Sequence, residues 1–426
     1  MIDIKIGDCR EKLKELPSHY FNTVITSPPY WGLRDYGTGE WTGGSKNCSH
    51  IAGKSRNDAE REFGTGETLN VQYRHVCKDC GAVRKDAQIG MEESPEEYVN
   101  QIVRVFREVW RVLRDDGTLW LNLGDSYSSG GRTSTTNQSV RGNADYGVTR
   151  PPVTHSVKPK DLVGIPWRVA FALQADGWYL RQDIIWHKPN PMPESVKDRC
   201  TKAHEYLFLL TKSEKYYYDS EAIKEEATGF DGRKQTKHLG SKKYDLNTFP
   251  HHQEHEKWIY DEDGNPIRNK RSVWSVPVKP YNEAHFAVFP TELIEPALLA
   301  GCPPKICSEC GTPFTRNMVT KEVPNRESRE GMVGVIPGRN AVSRMNSKDM
   351  KSLLKIDAGI TKNCLCHTGT TAGRVLDPFG GSGTTALVAD RHGRDATIIE
   401  LNKKYVDIAQ NRLEGDAPLF TEVRRK

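Results

Sequence analysis

The sequence predicts a doubly wound α/β protein built around a mostly parallel sheet, interrupted by insertions. Short apolar runs alternate with helical segments at both ends of the chain. Near the C-terminus, VLDPFGGSGTT (375–385) has the pattern of a strand, a glycine turn and a helix start. Three intervening stretches are polar or charged and do not follow this rhythm, so we expect them to be inserted into the core.

The N-terminal part of the core contains the longest amphipathic helix. Its apolar residues share one face at helical spacing, and they are Ile102, Val103, Phe106, Val109, Trp110 and Leu113. Asp116-Gly117 then predicts a break before the next strand. In this part we expect strands at 2–6, 23–26, 118–123, 178–187 and 205–211, and helices at 9–16, 95–114 and 161–176.

The C-terminal part restores the alternation. Residues 395–401 predict a strand and residues 402–413 the closing helix. We therefore assign the core to 1–31, 94–219, 283–304 and 372–426, with a flexible loop at 128–160, and the insertions to 32–93, 220–282 and 305–371.

Bulk composition places only broad limits on the protein's partners and location. The 426 residues carry a net charge of +5, which permits a polyanionic partner without demanding one. The apolar runs are too short to span a bilayer, and the N-terminus lacks a signal-peptide apolar segment. We therefore expect a cytoplasmic protein with no membrane partner, in which the ten cysteines are metal ligands or reduced thiols.

The glycine turn favours a nucleoside cofactor. Glycines allow close approach of a ligand, and free N–H groups at the helix start attract polar or negative groups. Glu400 ends the next strand, 17 residues after Gly383, where a carboxylate can accept hydrogen bonds from ribose hydroxyls. An ordinary strand-to-helix turn is the alternative. The turn lacks the lysine of GxxxxGK[ST], which disfavours nucleotide hydrolysis.

A second motif, TSPPY (26–30), gives the chain its resemblance to a known family. Together with DPFGGSGTT it resembles the beta class of S-adenosylmethionine-dependent DNA amino-methyltransferases, which methylate cytosine N4 or adenine N6. GDC (7–9), TLWLNLGDSY (118–127), IIWHKPNPMPE (184–194) and AHFAVFPTELIEPALLAGCP (284–303) extend the resemblance in the same order. It implies a Rossmann-like methyltransferase sheet with circularly permuted motifs, in which the TSPPY strand lies beside the DPF strand.

The resemblance also implies the site residues. The catalytic loop is Ser27, Pro28, Pro29 and Tyr30. Contacts to S-adenosylmethionine are implied for Asp8, Phe289, Pro290, Thr291, Glu292, Asp377, Phe379, Gly380, Gly381, Ser382, Gly383 and Glu400. Asp8 is implied near the adenine, Glu400 at the ribose, and the remaining residues at the methionine part or packed near the nucleoside.

An exocyclic amine is a poor nucleophile inside a base pair, so enzymes of this kind flip the base into a pocket. The Ser27 hydroxyl and the Pro28 carbonyl can accept hydrogen bonds from the amine, and Tyr30 can stack on the base. The serine favours cytosine N4, and adenine N6 is the alternative. A catalytically silent DNA-binding zinc scaffold and an RNA or protein methyltransferase are further alternatives.

Two groups of cysteines have the spacing of zinc knuckles. Cys307 and Cys310 form a CxxCG turn, and Cys364, Cys366 and His367 follow 54 residues later. Cys48, Cys77 and Cys80, with His50 or His75, make the other group. Four such ligands suit a closed structural Zn²⁺ site, so we expect up to two sites. Reduced core cysteines are the alternative, and Cys9, Cys200 and Cys302 are treated as ordinary thiols.

Double-stranded DNA is the expected partner. Candidate phosphate contacts are Arg132, Arg141 and Arg150 in the loop 128–160, and Arg233, Lys234, Lys237, Lys242 and Lys243 in segment 220–282. Segment 220–282 is the expected target-recognition region, although a solvated insertion is the alternative because its charges nearly balance. The family is compatible with a homodimer, with a cognate restriction endonuclease, and with a bacterial, archaeal or phage-encoded origin.

Overall fold

The computed structural model describes residues 1–32, 38–55, 69–72, 76–128, 157–227, 259–263, 265–279, 289–324, 351–416 and 422–425. The chain divides into two compact units. The first comprises Met1–Tyr218, Ser272–Pro304 and Thr371–Lys426, and the second comprises Asp219–Arg271 and Lys305–Thr370.

The described secondary structure is as follows. The helices are α1 (Cys9–Lys12), α2 (Pro95–Val112), α3 (Ile165–Ala175), α4 (Thr291–Gly301), α5 (Thr384–Arg391) and α6 (Lys403–Asp416), with 3₁₀ turns at Leu13–Glu15 and Glu221–Ile223. The strands are β1 (Ile2–Ile6), β2 (Phe21–Thr26), β3 (Glu40–Thr42), β4 (Ile51–Ser55), β5 (Leu69–Gln72), β6 (Val83–Lys85), β7 (Leu113–Leu123), β8 (Tyr179–His187), β9 (His204–Thr211), β10 (Glu225–Glu226), β11 (Ile259–Tyr260), β12 (Pro266–Arg268), β13 (Val273–Ser275), β14 (Ile306–Cys307), β15 (Thr315–Pro324), β16 (Lys351–Thr361), β17 (Thr370–Thr371), β18 (Arg374–Asp377), β19 (Asp395–Glu400) and β20 (Val423–Arg425).

The first unit is organised by a nine-stranded sheet in the order β13-β8-β9-β7-β2-β18-β19-β1-β20. Only β9 runs antiparallel to its neighbours, β7 and β8, and the other described pairings are parallel. The expectation of a mostly parallel sheet is confirmed. All six residues of β2 are buried, as a central strand covered on both faces requires.

Strands from opposite ends of the sequence lie side by side in this sheet. β2 pairs in parallel with β18, with Thr23 opposite Val375 and Val24 opposite Leu376. The predicted neighbourhood of the TSPPY and DPF strands is therefore confirmed. Because the carboxyl ends of adjacent parallel strands meet at one edge, the loops that follow β2 and β18 emerge together.

Helix α2 buries Ile102, Phe106 and Val109 of the face that the sequence predicts, and it is capped at its N-terminus. The Ser94 hydroxyl accepts a hydrogen bond from the Glu97 N–H, and Pro95 occupies the first turn. The helix stops at Val112, and β7 begins one residue later, so the predicted break at Asp116-Gly117 lies inside a strand. There the β2–β7 register skips from Leu113 to Thr118, and the break is accommodated as a bulge.

The second unit contains a five-stranded sheet in the order β10-β12-β11-β16-β15. Its strands come from both predicted insertions, 220–282 and 305–371, because β11 pairs in parallel with β16. Lys355 pairs with Glu221 at 2.6 Å, and Arg316 pairs with the largely buried Asp219 at 3.0 Å. Both ion pairs join the two stretches of chain that form this unit.

Three two-stranded ladders complete the described strands: β3 with β6, β4 with β5, and β14 with β17. None of the helices in the described part of the chain combines the length and the apolar character needed to cross a membrane.

Candidate functional site

A cavity of about 570 Å³ opens in the first unit at the carboxyl ends of β1, β2, β7, β18 and β19. This volume is within the range of pockets that hold cofactors and small ligands. The sequence-predicted residues that line it are Asp8, Ser27, Pro28, Pro29, Tyr30, Phe289, Phe379, Gly380, Gly381, Ser382 and Glu400. The predicted residues outside its lining are Pro290, Thr291, Glu292, Asp377 and Gly383.

The glycine turn after β18 is tightly packed. The Gly380 N–H donates to the Ile399 carbonyl at 2.8 Å, and a Cβ on Gly380 would lie 2.9 Å from the Ile398 Cβ. Gly383 caps α5 with φ of +77° and would place a Cβ 3.0 Å from Ala409. The turn therefore requires glycine for both space and backbone conformation. Gly383 shapes the turn that borders the cavity but does not line the cavity itself.

Asp377 lies beneath the turn and joins the two motifs. Its carboxylate accepts hydrogen bonds from the Thr26 hydroxyl at 2.6 Å, the Thr385 hydroxyl at 2.8 Å and the Phe379 N–H at 3.0 Å. The side chain is 1% exposed, and burial raises its pKa to about 6. The resemblance implied a cofactor contact, whereas the structure places this carboxylate as a tie between β2, β18 and α5.

Two other carboxylates do face the cavity. Glu400 accepts hydrogen bonds from the N–H groups of Gly381 at 2.8 Å and Asn402 at 2.7 Å, and burial raises its pKa. Asp8 caps α1 by accepting from the Arg10 N–H at 2.9 Å, and it also pairs with the Arg10 guanidinium. Both acids are thus fixed by the chain while remaining part of the cavity lining.

The FPTEL segment contributes mainly through Phe289. Pro290 precedes the first turn of α4 in an extended conformation. The Glu292 side chain is about 44% exposed and pairs with Lys279, which lowers the Glu292 pKa. Its neighbour Thr291 donates a hydrogen bond to the same carboxylate at 3.0 Å.

The loop after β2 presents Ser27 and Tyr30 to the cavity. The Ser27 hydroxyl donates to the Tyr30 hydroxyl at 3.4 Å, which leaves the serine lone pairs available. The Pro29 carbonyl accepts from the buried Tyr98 hydroxyl at 2.9 Å. Among the described residues, no hydrogen bond to the Pro28 carbonyl is found. The prolines and Tyr98 therefore hold a loop whose free acceptors are at Ser27 and Pro28.

Tyr30 is fixed by a buried polar network. Its hydroxyl donates to Glu205 Oε2 at 2.6 Å and lies 3.0 Å from Asn122 Oδ1, while Lys188 pairs with the other oxygen of Glu205. Burial and the neighbouring Glu205 carboxylate raise the Tyr30 pKa well above its usual value. A Cβ on Gly124 would lie 2.5 Å from Tyr30 Cε2, so the glycine makes room for the ring.

Several cavity residues were not assigned roles from the sequence. They are Asn122, Gly124, Asp125, Trp186, Lys188, Lys202 and Glu205. Most lie in the quoted motifs TLWLNLGDSY and IIWHKPNPMPE, and their position at the ends of predicted strands was the signal that could have identified them.

Asp125 and Lys202 support each other in this wall. The Asp125 carboxylate accepts from the Gly164 and Ile165 N–H groups at the start of α3, both at 3.0 Å. Its carbonyl accepts from Lys202 Nζ at 2.8 Å, and burial lowers the Lys202 pKa. This part of the cavity lining is therefore polar and includes the lysines Lys188 and Lys202.

The two cysteine groups each converge in the structure. One contains Cys48, His50, Cys77 and Cys80, and the other contains Cys307, Cys310, Cys364 and Cys366. Within each group the ligand atoms all lie within 4.8 Å of one another. His50 therefore occupies the fourth position in the first group and Cys366, not His367, in the second. The other histidine considered, His75, lies outside the described residues.

The predicted phosphate-contact residues all lie outside the described residues. These are Arg132, Arg141, Arg150, Arg233, Lys234, Lys237, Lys242 and Lys243.

The cavity fits the cofactor that the motifs imply. The glycine turn leaves no room for a Cβ on Gly380 and offers N–H groups at the start of α5. Asp8 and Glu400 supply acceptors for hydroxyl and amino groups and a negative potential suited to a cationic sulfonium. Phe289 and Phe379 supply apolar walls for the flat purine and for the carbons next to the sulfonium.

Comparisons with known proteins identify the family of the chain. The family model for N6 and N4 methyltransferases, described as DNA methylase, matches residues 21–306 and 360–411. Type II methyltransferase M.Cfr9I of Citrobacter freundii is 36% identical over 410 residues, which cover 96% of this chain and 87% of that protein. Type II methyltransferase M.SmaI of Serratia marcescens is 36% identical over 412 residues, covering 96% and 90%.

Among solved structures, the PvuII DNA methyltransferase (cytosine-N4-specific) matches with a TM-score of 0.44 and 15% identity, covering 99% of this chain and 94% of that one. The family model spans well over half of the chain, and both type II relatives cover most of it. The chain therefore belongs to the N6/N4 family of DNA methylases and is an S-adenosylmethionine-dependent DNA methyltransferase.

Proposed function

We propose that the protein transfers the methyl group of S-adenosylmethionine to N4 of a flipped cytosine at a specific site in double-stranded DNA. The observation that carries this proposal is the parallel pairing of β2 with β18. It places the loop Ser27–Tyr30 and the turn Phe379–Ser382 on one cavity. The serine that precedes the prolines supports cytosine as the target, by its resemblance to cytosine N4 enzymes.

The cofactor end of the cavity is formed by the turn and the two acids. Bound S-adenosylmethionine supplies a methyl group activated by the sulfonium. Glu400 and Asp8 accept hydrogen bonds from the polar edges of the nucleoside. The N–H groups at the start of α5 and the aromatic walls would hold the methionine side.

The other end of the cavity receives the base. The Ser27 hydroxyl and the Pro28 carbonyl accept hydrogen bonds from the exocyclic amine and hold its lone pair toward the methyl group. Tyr30 provides a stacking surface that Gly124 and Glu205 hold in place. Because these groups are fixed before the base arrives, little reorganisation is needed in the transition state.

Tyr30 acts as a phenol, not as a base. Its raised pKa keeps the hydroxyl protonated at neutral pH, and its hydrogen bond to Glu205 uses that proton. Glu205 is itself paired with Lys188. We therefore propose that the methylated amine loses its proton to water after methyl transfer.

The target base is tested by nucleoside mass spectrometry of DNA methylated by the purified enzyme. N4-methylcytosine is the expected product, whereas N6-methyladenine would overturn the assignment of the base and leave the enzyme class unchanged. Modification-sensitive sequencing of DNA from an expressing host then gives the recognition site.

The role of Ser27 is tested with Ser27→Ala. We expect kcat to fall by about 10²-fold or more, on the scale of removing one preorganised hydrogen-bonding group, while the Kd for S-adenosylmethionine stays unchanged. Ser18→Ala, at an exposed serine remote from the cavity lining, is the matched control. Undiminished transfer by Ser27→Ala would refute the role.

The partners follow from the same proposal. The relatives are named type II methyltransferases, so we propose a cognate restriction endonuclease that cuts the same unmethylated site. Host DNA methylated by this enzyme should resist that nuclease. We further propose a homodimer, and light scattering during gel filtration measures the mass directly.

A further inference from the structure

Neither cysteine group takes part in the methyl-transfer site. We propose that each group holds one structural Zn²⁺ ion, and that the first ion positions a wall of the methyl-transfer cavity. The first site is a three-sulfur, one-nitrogen site at Cys48, His50, Cys77 and Cys80, and the second is a four-sulfur site at Cys307, Cys310, Cys364 and Cys366.

The distances in the first site match one tetrahedral ion. Zn–S bonds of about 2.3 Å and Zn–N bonds of about 2.0 Å place two sulfurs about 3.8 Å apart and a sulfur and a nitrogen about 3.5 Å apart. Cys48 and Cys77 sulfurs lie 3.6 Å apart, and the Cys80 sulfur lies 3.5 Å from His50 Nδ1. A disulfide would bring two sulfurs to about 2.05 Å, so the thiols are not paired in that way.

Both sites are built on the same turn. In the first, the Cys77 N–H donates to the Ala82 carbonyl and the Gly81 N–H donates to the Cys77 carbonyl, both at 2.8 Å. In the second, the equivalent bonds run from Cys307 to Thr312 and from Gly311 to Cys307, both at 3.0 Å.

The glycine is positioned identically in the two turns. Gly81 and Gly311 have φ values of +73° and +68°, a conformation that favours glycine. The same backbone turn, with two residues between its two cysteines and a glycine after the second, occurs at two separate places in the chain. Two independent accidents of packing would not be expected to reproduce it.

The donor set selects the metal. Thiolate and imidazole ligands in a closed tetrahedral arrangement favour zinc over calcium, magnesium or manganese, which prefer oxygen. A span of 4.8 Å between all ligand atoms accommodates one ion and leaves no space for a cluster of several irons and sulfides. His50 is also oriented by stacking on Trp41, with ring centroids 4.5 Å apart.

The first site is connected to the cavity through a short run of chain. Strand β6 leaves the Cys77–Ala82 turn and pairs with β3. The next residues, Ala87, Gln88 and Ile89, line the cavity.

The run is tied to Arg10, next to Asp8, and to Gly32, just after the catalytic loop. The Ala87 carbonyl accepts from the Arg10 guanidinium at 2.8 Å, and Arg10 in turn pairs with Asp8. One residue after the wall, the Gly90 carbonyl accepts from the Gly32 N–H at 2.7 Å, two residues beyond Tyr30. An ion at the first site would therefore fix the position of this wall and support the catalytic loop, whereas the second site lies on the β14 turn, outside the cavity lining.

The stoichiometry is tested on full-length, tag-free protein by elemental analysis. We expect two zinc ions per chain in the wild type, one in Cys80→Ala or Cys366→Ala, and none in the double variant. Cys200→Ala, at an exposed cysteine outside both groups, and His367→Ala, next to Cys366, are matched controls that should keep two. Zinc near zero in the wild type, or two ions retained in Cys80→Ala and Cys366→Ala, would overturn the proposal.

The ligand types are tested by cobalt substitution, which does not depend on activity. Cobalt in the Cys366→Ala protein should show the visible spectrum of a three-sulfur, one-nitrogen site, and cobalt in Cys80→Ala that of a four-sulfur site. Octahedral cobalt spectra in both proteins would contradict the assignment even if a variant folds poorly.

The link to the cavity is tested by cofactor affinity, measured by calorimetry. Cys80→Ala should weaken S-adenosylmethionine binding, while Cys366→Ala should leave the Kd unchanged. Far-ultraviolet circular dichroism checks that both variants remain folded. If folded Cys80→Ala protein bound S-adenosylmethionine with the wild-type Kd, the positioning role would be refuted. The metal assignment would then depend on the measured zinc content alone. These readouts do not require that cytosine is the methylated base.

Discussion

The Tyr30 side chain is held from two directions, by the backbone at Gly124 against its ring and by Glu205 at its hydroxyl. The sequence points to the aromatic ring after the two prolines, and the resemblance implies that it stacks on a base. Its partners could not be predicted, because Gly124 follows β7 and Glu205 lies in β9, and the alignment of these strands with the loop depends on the whole sheet. The structure therefore separates a stacking contribution of the ring from a positioning contribution of the hydroxyl.

Two variants of Tyr30 measure these contributions. Tyr30→Phe keeps the ring and should lower kcat by no more than about tenfold, the value of one or two hydrogen bonds. Tyr30→Ala also removes the stacking surface, which should lower kcat by a further factor of about 10 to 100. Single-turnover methylation of a cognate duplex gives both values. If Tyr30→Phe were as damaged as Tyr30→Ala, the hydroxyl and not the ring would be the main contribution.

At the scale of elements, a buried carboxylate holds the two motifs together. Asp377 accepts hydrogen bonds from Thr26 at the end of β2 and from Thr385 in the first turn of α5. The sequence indicates that β2 and β18 are neighbours, since the resemblance requires it. The two threonines could not be identified, because a threonine near a strand end carries no signal of its partner.

The elevated pKa of Asp377 makes stability depend on pH. An aspartate titrates near 3.9 in the unfolded chain and near about 6 when folded, so the folded state binds the proton more tightly. The tighter proton binding stabilises the folded state. This stabilisation is fully present below about pH 4 and is lost as pH rises through about 6. Asp377→Asn removes the titration. The difference in unfolding free energy, wild type minus variant, should therefore fall by up to about 3 kcal/mol between pH 4 and pH 7.

Urea unfolding at several pH values checks this prediction. Asp161→Asn, at an exposed aspartate, is the matched control and should give a difference that does not change over the same range. A constant difference for Asp377→Asn would show that its carboxylate does not carry the pH dependence.

At the scale of the whole molecule, the α/β alternation and the order of motifs were sufficient to predict the mostly parallel sheet and the site edge. The pairing of the two insertions was not predictable, since β11 and β16 are separated by 90 residues and β11 is only two residues long. The ligands of the first cysteine group, Cys48, His50, Cys77 and Cys80, could be proposed from the sequence, because the CxxCG turn is a local pattern. His50 is one of the two histidines that the sequence offered as the fourth ligand, and it lies beside the three cysteines.

Hydrogen exchange across the full chain tests whether the cofactor acts on the first unit. At a cofactor concentration of 100 times Kd, binding stabilises the competent state by about 2.7 kcal/mol, so amides that exchange only when the cavity opens should slow by up to about 100-fold. We expect this protection in peptides covering Asp8, the loop Ser27–Tyr30 and the turn Phe379–Ser382. Peptides from β15 and β16 in the second unit should exchange at the same rate with and without S-adenosylmethionine. S-adenosylhomocysteine, which lacks the methyl group and its charge, should protect the same peptides and serves as the control. Protection confined to β15 and β16 would place the cofactor in the second unit and contradict the site described at the carboxyl edge of the nine-stranded sheet.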